Sequence, residues 1–433
     1  MSTESLAAVA IRDVAVIVVV STLLGGLARR VGQPAVIGQI VAGIALGPTL
    51  LGRLPGDPTE RLFPHEVLPF LTVLSQIAIV LFMFVVGYET DGRQLRQGGR
   101  AAVTVALGAL LVPAGLGAGS VAAFQGPFAA VQPDGAAAVD SRAFFLFMSV
   151  ALSVTALPVL AAIVRERGLA GTTPGTVATA AAGGMDVVAW LVLAAALAGT
   201  GHATELSWPV SLLSLVLFVA ALFLVVRPLL ARLVDRSAAV REHQVTVALA
   251  LALGSAWVTA ELGLHAVFGG LLAGLAMPRE NGVPQADVLR PLEQTSGLLL
   301  PLFFVTTGLS FDIGSLNGTA GALLALILAV AILGKLVPAY AAARVGGLDA
   351  RDSAVVAALV NTRGLTELIV LNVALDAGVI GERLFTALVL MALVTTFMTG
   401  PLLTLIRRGG RRRAPGRPGI AEQPAPGAPS GRA

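Results

Sequence analysis

AVIGQIVAGIALGP, residues 35–48, returns at residues 266–278 as AVFGGLLAGLAMP, with six identities in the first twelve positions. A second pair follows the same order. LFMFVVGYETD (81–91) resembles LFFVTTGLSFD (302–312) in its Leu-Phe start, its glycine and its closing aspartate. All four stretches are apolar and glycine-punctuated, and convergent Gly/Ala-rich packing accounts for one such pair by itself. Two pairs with a common displacement need a different explanation, and the number of segments between them supplies it.

Composition fixes what those segments are. Hydrophobic residues make up 56% of the 433-residue chain and charged residues 12%, about half the charge of a soluble domain. The chain is read as an all-α integral membrane protein. Its start, MSTESLAAVAIRDVAVIVVV, has an acidic residue and no basic flank, so it is read as an uncleaved first span. Without cysteine, neither disulfides nor thiolate metal sites are available.

Hydropathy broken at Gly, Pro and charge gives about thirteen segments: 8–28, 34–51, 66–88, 101–124, 142–164, 172–199, 207–231, 242–261, 264–278, 294–310, 318–343, 352–375 and 383–406. The quoted pairs then equate the second segment with the ninth and the third with the tenth, a shift of seven in both cases. An odd shift reverses direction. Segments 1–6 and 8–13 therefore read as inverted repeats joined by the seventh, an arrangement of secondary transporters with a site near the midplane.

Arginine orients the chain. With the N-terminus outside and the C-terminus cytoplasmic, 22 arginines fall on the cytoplasmic side and five outside (Arg12, Arg53, Arg61, Arg142 and Arg383), while Arg363 stays in the membrane. Such a bias is the expected cytoplasmic excess. The expected division is a transmembrane domain over 1–406 and a disordered basic cytoplasmic tail over 407–433, rich in Arg, Pro and Gly. Its charge suits anionic lipid in the bilayer better than nucleic acid, and no nucleic-acid partner is expected.

The few intramembrane polar residues carry the chemistry. Lys335 is the chain's only lysine and lies within the apolar run GALLALILAVAILGKLVPAYAAA (321–343), where its cost is about 2.5–3.5 kcal/mol. Lysine releases a proton where arginine does not, so Lys335 is either a proton carrier or a fixed charge; snorkelling toward the interface is the bland alternative. The fifth and twelfth segments, equivalent under the repeat, are both interrupted. SVALSVTALPV (149–159) contains Pro158, which removes a backbone donor and frees the carbonyl of Val154. Ser153 and Thr155 beside it either satisfy loose backbone groups or face an ion. LVNTRGLTELIVLN (359–372) holds Asn361, Thr362, Arg363, Gly364 and Glu367, tolerated at that depth only against protein or a water-filled cavity. Arg363 and Glu367, four apart, suit pairing on one face and neutralising helix ends; direct ion binding is the second reading. Asp186 stands alone in TVATAAAGGMDVVAWLVLAAALAG (176–199). Desolvation and a neighbouring cation act in opposite senses on such a carboxylate, which lets a proton and an alkali cation compete for it. A structural aspartate in a helix–helix hydrogen bond is the alternative. Gly183 and Gly184 allow close approach beside it.

These residues together resemble the monovalent cation:proton antiporter-2 family over roughly 10–406. QPAVIGQIVAGIALGPTLLG (33–52) and LFMFVVGYETD are similar to its early hallmarks. The long stretch NTRGLTELIVLNVALDAGVIGERLFTALVLMALVTTFMTGPLL (361–403) resembles its plant and fungal cation/proton exchanger branch and bacterial relatives. The resemblance implies two crossed broken helices in a core, a dimerisation scaffold, elevator-type movement, and exchange of Na+ or K+ for protons across the plasma membrane by a multi-pass homodimer. It implies that Asp186 is the essential aspartate and that Lys335 pairs with or faces it. Thr155 and Pro158 fall in the first crossover, and Asn361, Thr362, Arg363 and Gly364 fall in the second. Met185 departs from the family, which usually has a polar residue there; a thioether is a poor ligand for a hard cation. One carboxylate favours electroneutral exchange. A sodium-coupled symporter and a transport-inactive sensor are the alternatives. No cofactor and no enzymatic activity are expected. GLGAGS (115–120) reads as helix packing rather than a phosphate loop, and His65, His202, His243 and His265 read as solvated.

Overall fold

The computed structural model describes residues 3–56, 58–89, 99–132, 141–197, 208–236, 242–262, 265–280, 282–316 and 318–411. The described residues fold into helices because a chain in lipid must satisfy every backbone N–H and C=O internally. Ten helical stretches among them are long and apolar enough to cross a membrane, and Ala266–Ala276 is a shorter apolar helix.

The first half comprises α1 (Thr3–Arg30), α2 (Ala35–Leu46), α3 (Leu68–Glu89), α4 (Gly99–Ala123), α5 (Arg142–Ser153), α6 (Leu157–Glu166) and α7 (Thr173–Leu197). A linker, α8 (Trp208–Ala221), a π-turn over Leu222–Val226 and α9 (Arg227–Arg236), leads to the second half. That half comprises α10 (Gln244–Glu261), α11 (Ala266–Ala276), α12 (Ala286–Leu309), α13 (Gly318–Val345), α14 (Ala350–Val360), α15 (Leu365–Asp376) and α16 (Glu382–Arg411). Helices are found within the stretches read as segments, with the fifth and twelfth each split in two.

Several boundaries move. α12 starts at Ala286, not 294, because two charged turns holding Asp287, Arg290 and Glu293 precede its apolar stretch. α16 runs to Arg411, into the stretch expected to be disordered; residues 412–433 of that tail lie outside the described residues. So do most of the Arg93–Arg100 loop and His202.

Two bundles form. In the scaffold, α1–α3 pack with α10–α12 around Val80, Phe84, Tyr88, Ala252 and Ala273, and around Ile17, Leu71 and Val305. The core is built from α4–α7 and α13–α16, with Ala102, Leu160, Ala181, Met185 and Leu359 in one cluster. A third apolar cluster, including Ile40, Phe304, Leu368 and Leu388, joins the bundles. The linker packs little: Leu213, Leu217, Leu224 and Val225 are exposed, as a lipid-facing helix requires.

The repeated glycines occupy equivalent contacts. A side chain at Gly38 would strike the Leu24 carbonyl, and one at Gly269 the Ser255 carbonyl. Gly43 lies against the backbone of Phe304, and Gly274 against that of Phe84. Residues 24, 38 and 43 correspond to 255, 269 and 274 at one spacing, so each half lends its short helix to the other half's longer one. Backbone this close excludes any Cβ.

The loops divide between two faces. On one, Arg167 donates to the Gly32 carbonyl at 3.2 Å and to Thr404 at 3.4 Å. Arg279 donates to the carbonyls of Gly87 and Tyr88 there. On the other, Arg12 donates to the Leu62 carbonyl at 2.7 Å, Arg53 approaches Asp312 at 3.5 Å, and the Gly381 amide donates to Gln132 at 2.6 Å. Each contact joins stretches that the thirteen-segment reading assigns to the same side.

Candidate functional site

The two split helices meet in the core. α5 stops at Ser153 and the chain runs extended through Val154 to Ala156. Pro158 then lies in the first turn of α6, where its missing N–H is no loss. α14 ends at Asn361, and α15 begins after Gly364, whose φ of 148° is outside the range of ordinary L-residues. A Cβ there would also meet Val159 at 2.9 Å. The crossover is stitched directly: Ala156 N–H donates to the Thr362 carbonyl at 3.1 Å, and the Thr155 hydroxyl to the Val360 carbonyl at 2.9 Å.

Each broken end leaves orphan backbone groups and half of a helix dipole. At the C-terminal end of α5 two buried cations take four successive carbonyls. Arg363 donates to Ala151 and, at 2.6 Å, to Leu152; Lys335 donates to Ser153 and, at 2.7 Å, to Val154. Arg363 also contacts both carboxylate oxygens of Glu367 at 2.8 Å, and Glu367 sits in the first turn of α15. All three side chains are fully buried. The expected pairing of Arg363 with Glu367 is therefore present. Lys335 bonds the Ser153 and Val154 carbonyls with its ammonium and lies close enough to Asp186 for their charges to interact, without a direct ion pair between them.

Asp186 is the contrasting case. It is 4% exposed, and neither carboxylate oxygen has a hydrogen-bond partner. Leu157, the first residue of α6, turns its backbone N–H toward it, so the carboxylate stands at the positive end of that half-helix. The helix–helix hydrogen bond of a purely structural aspartate is absent. A cavity of about 710 Å³ runs from Glu89, Arg165 and Glu293 past Thr176 and Thr179 to Leu157 and Pro158. Its inner wall thus shares Leu157 with the Asp186 environment. Met185 points elsewhere, into the apolar cluster with Ala182 and Ala357. A residue at 183 needs no glycine for space, since a Cβ there would meet only the Leu157 side chain at 3.8 Å.

Ser153 and Thr155 both use their hydroxyl hydrogens on backbone carbonyls, Ser153 on Val150 at 3.2 Å. Their oxygen lone pairs stay available. Sequence reasoning missed the threonines of α16. Thr396 accepts from Arg363 N–H at 3.1 Å and donates to its carbonyl at 2.8 Å. Thr399 meets Thr362 at 3.3 Å, and the Thr395 carbonyl accepts from Asn361 at 3.4 Å. Three threonines in the apolar run MALVTTFMTG (391–400) were the available signal. His265 was also misjudged: its side chain is 17% exposed and caps α11.

Comparison with known proteins places this geometry in context. The chain is 35% identical over 410 residues to cation/H+ antiporter 18 of Arabidopsis thaliana, covering 93% of this chain and 49% of that one. It spans about half the length of the plant relatives it matches. It is 35% identical over 398 residues to the Na+/H+ antiporter NhaS4 of a Synechocystis strain, covering 91% of this chain and 96% of the relative. In fold it resembles the sodium proton antiporter MjNhaP1 of Methanocaldococcus jannaschii, with a TM-score of 0.64 at 13% identity, covering 93% of this chain and 97% of that structure. Residues 16–408 match the family described as sodium/hydrogen exchanger, transmembrane, and the chain belongs to that family.

Proposed function

We propose that this chain exchanges Na+ or K+ for protons across the cell membrane, with Asp186 as the group the two ions share. One observation carries the reading: a buried carboxylate with no cation within bonding distance, approached by the Leu157 N–H, lies at the crossing of two broken helices, beside the inner end of a cavity. A carboxylate so placed needs either a proton or a cation to be accommodated in a low dielectric. Ser153 and Thr155 offer hard oxygen atoms nearby, the donor type an alkali cation takes. Lys335, Arg363 and Glu367 act as fixed charges that offset the cut helix ends. With one free carboxylate, exchange is one for one and electroneutral.

The relatives' names support this assignment, since they are cation/H+, Na+/H+ and K+/H+ antiporters. The shared spacing of the glycine contacts supports two inverted six-helix repeats. The sorting of loop contacts onto two faces supports thirteen crossings, the fifth and twelfth broken. The arginine distribution supports an external N-terminus and a cytoplasmic C-terminus in a multi-pass plasma-membrane protein. Alternating access follows from an elevator-type movement of the core against the scaffold of a homodimer.

Everted vesicles with a pH-sensitive dye test the proposal. Adding Na+ or K+ should dissipate a respiration-driven proton gradient, and Asp186→Asn should abolish the response while leaving expression intact. Full activity in Asp186→Asn would falsify the site. A response only to an organic solute with sodium would identify a symporter, and no response in the parent an inactive sensor.

A further inference from the structure

The repeated glycines of α2 and α11 are explained by the backbone against them, and Gly183 is not. It lies inside α7 without a positive φ, and within 4 Å a Cβ there would meet Leu157 Cδ2 alone, at 3.8 Å. Glycine within a helix is destabilising relative to alanine, so neither packing nor backbone conformation calls for it. Its position on the helix does. Thr176, Thr179, Gly183 and Asp186 recur at intervals of three and four and so share one face of α7. Thr176, Thr179 and Ala180 line the large cavity, which opens beside Arg165 on the face of Arg167. The lining stops short of Asp186, which lies on the far side of Gly183.

Leu157 spans the remaining gap. As the first residue of α6 it lines the inner end of the cavity, sets its Cδ2 over Gly183 and turns its N–H toward Asp186. A cation in the cavity is thus separated from a buried carboxylate by one isobutyl group above a position that has no side chain. Leu157 is half-buried and borders open space on its cavity side, so a change between staggered rotamers uncovers Asp186 without any movement of helices. We propose that Leu157 and Gly183 form the access gate of Asp186, the leucine as an apolar lid and the glycine as the clear floor beneath it. An apolar constriction opposes a hydrated ion by dewetting. The lid therefore keeps bulk water from the carboxylate and makes the arriving cation exchange its hydration shell for protein oxygens. The glycine keeps the passage wide enough for that exchange to occur. Pro158, next in the chain, fixes the start of α6 and with it the point from which the lid swings.

The gate rests on the reading of Asp186 as the ion site, and the test keeps the two apart. A carbodiimide added to everted vesicles reaches the cavity from the side of Arg167, and its adduct on Asp186 is followed by peptide mass spectrometry at the pH of maximal labelling. Leu157→Ala should raise the labelling rate about tenfold, which is about 1.4 kcal/mol of barrier and less than the burial of one leucine side chain contributes. Gly183→Val should lower the rate by a similar factor and stop exchange. Its melting temperature should stay at or above the parent's, since valine is the better helix former. The double variant should recover both labelling and exchange, because the volume removed at 157 replaces the volume filled at 183. A merely structural role at either position does not produce that rescue. Parent-like labelling in Leu157→Ala would overturn the gate, whether or not Gly183→Val folds. Parent-like labelling in a folded Gly183→Val, or a double variant no better than Gly183→Val alone, would overturn it too. Na+ or K+ should slow the labelling of the parent. If neither does, and the parent exchanges neither ion, the antiport assignment fails while the labelling rates of the variants still report on the gate.

Discussion

Glu367 lies in the first turn of α15 and Asp186, from the middle of α7, faces the first residue of α6; both carboxylates are buried, yet only Glu367 has a cation within bonding distance. Under the proposed function that difference separates a fixed charge from an exchangeable one. Glu367→Gln leaves Arg363 without its counter-ion, and breaking a buried pair by removing one partner costs about 3–5 kcal/mol. We therefore expect Glu367→Gln to lower the yield of folded protein and its melting temperature in detergent, whereas Asp186→Asn should be neutral or stabilising there. Lys335 makes a second residue-scale case. Its ammonium bonds two carbonyls of α5, and under the proposed function it serves there as a fixed positive charge. Lys335→Arg should retain exchange with a moderately shifted pH profile. Lys335→Ala leaves two buried carbonyls without donors, at about 1–3 kcal/mol each, and should lose both stability and exchange. Loss of exchange in Lys335→Arg with normal folding would point to a lysine that itself carries the proton. The residues of this site were legible because charge inside an apolar run is conspicuous; the partner of Lys335 was not, since it is backbone and leaves no mark in the sequence.

At the scale of single elements, breaks were easier to read than ends. Pro158 and the Asn361–Gly364 stretch announced both interruptions, whereas hydropathy could not see that α12 begins two charged turns early or that α16 continues to Arg411. Helical hydrogen bonding does not stop where apolar character does. Gly364 sets the geometry of the second break. Gly364→Ala should cost about 1–3 kcal/mol for the backbone conformation, with the Val159 contact adding to it, and the measurable outcome is a lowered melting temperature together with reduced exchange. An Ala variant as stable as the parent would show that the turn relaxes freely. The threonines of α16 escaped notice because a hydroxyl in a helix usually bonds its own preceding carbonyl; Thr396 does that and also serves the facing turn.

For the molecule as a whole, ten identical residues in the paired stretches were visible in the sequence, and the packing of each short helix on its longer neighbour was not. Sequence similarity relates the halves but does not say which helix of one lies on which helix of the other. Labelling tests the orientation they imply. Leu54→Cys should react with an impermeant reagent in intact cells, and Ala350→Cys only after permeabilisation; the reverse pattern would invert the topology. The glycine contacts reach further still. Gly38 and Gly43 do in one half what Gly269 and Gly274 do in the other, each against a different stretch of backbone. A saturation library should therefore return the same tolerance profile twice, once for each half, with Gly38 tracking Gly269 and Gly43 tracking Gly274. Under the proposed function the core departs from that correspondence at Asp186, where the scan should return an intolerance with no match in the other half.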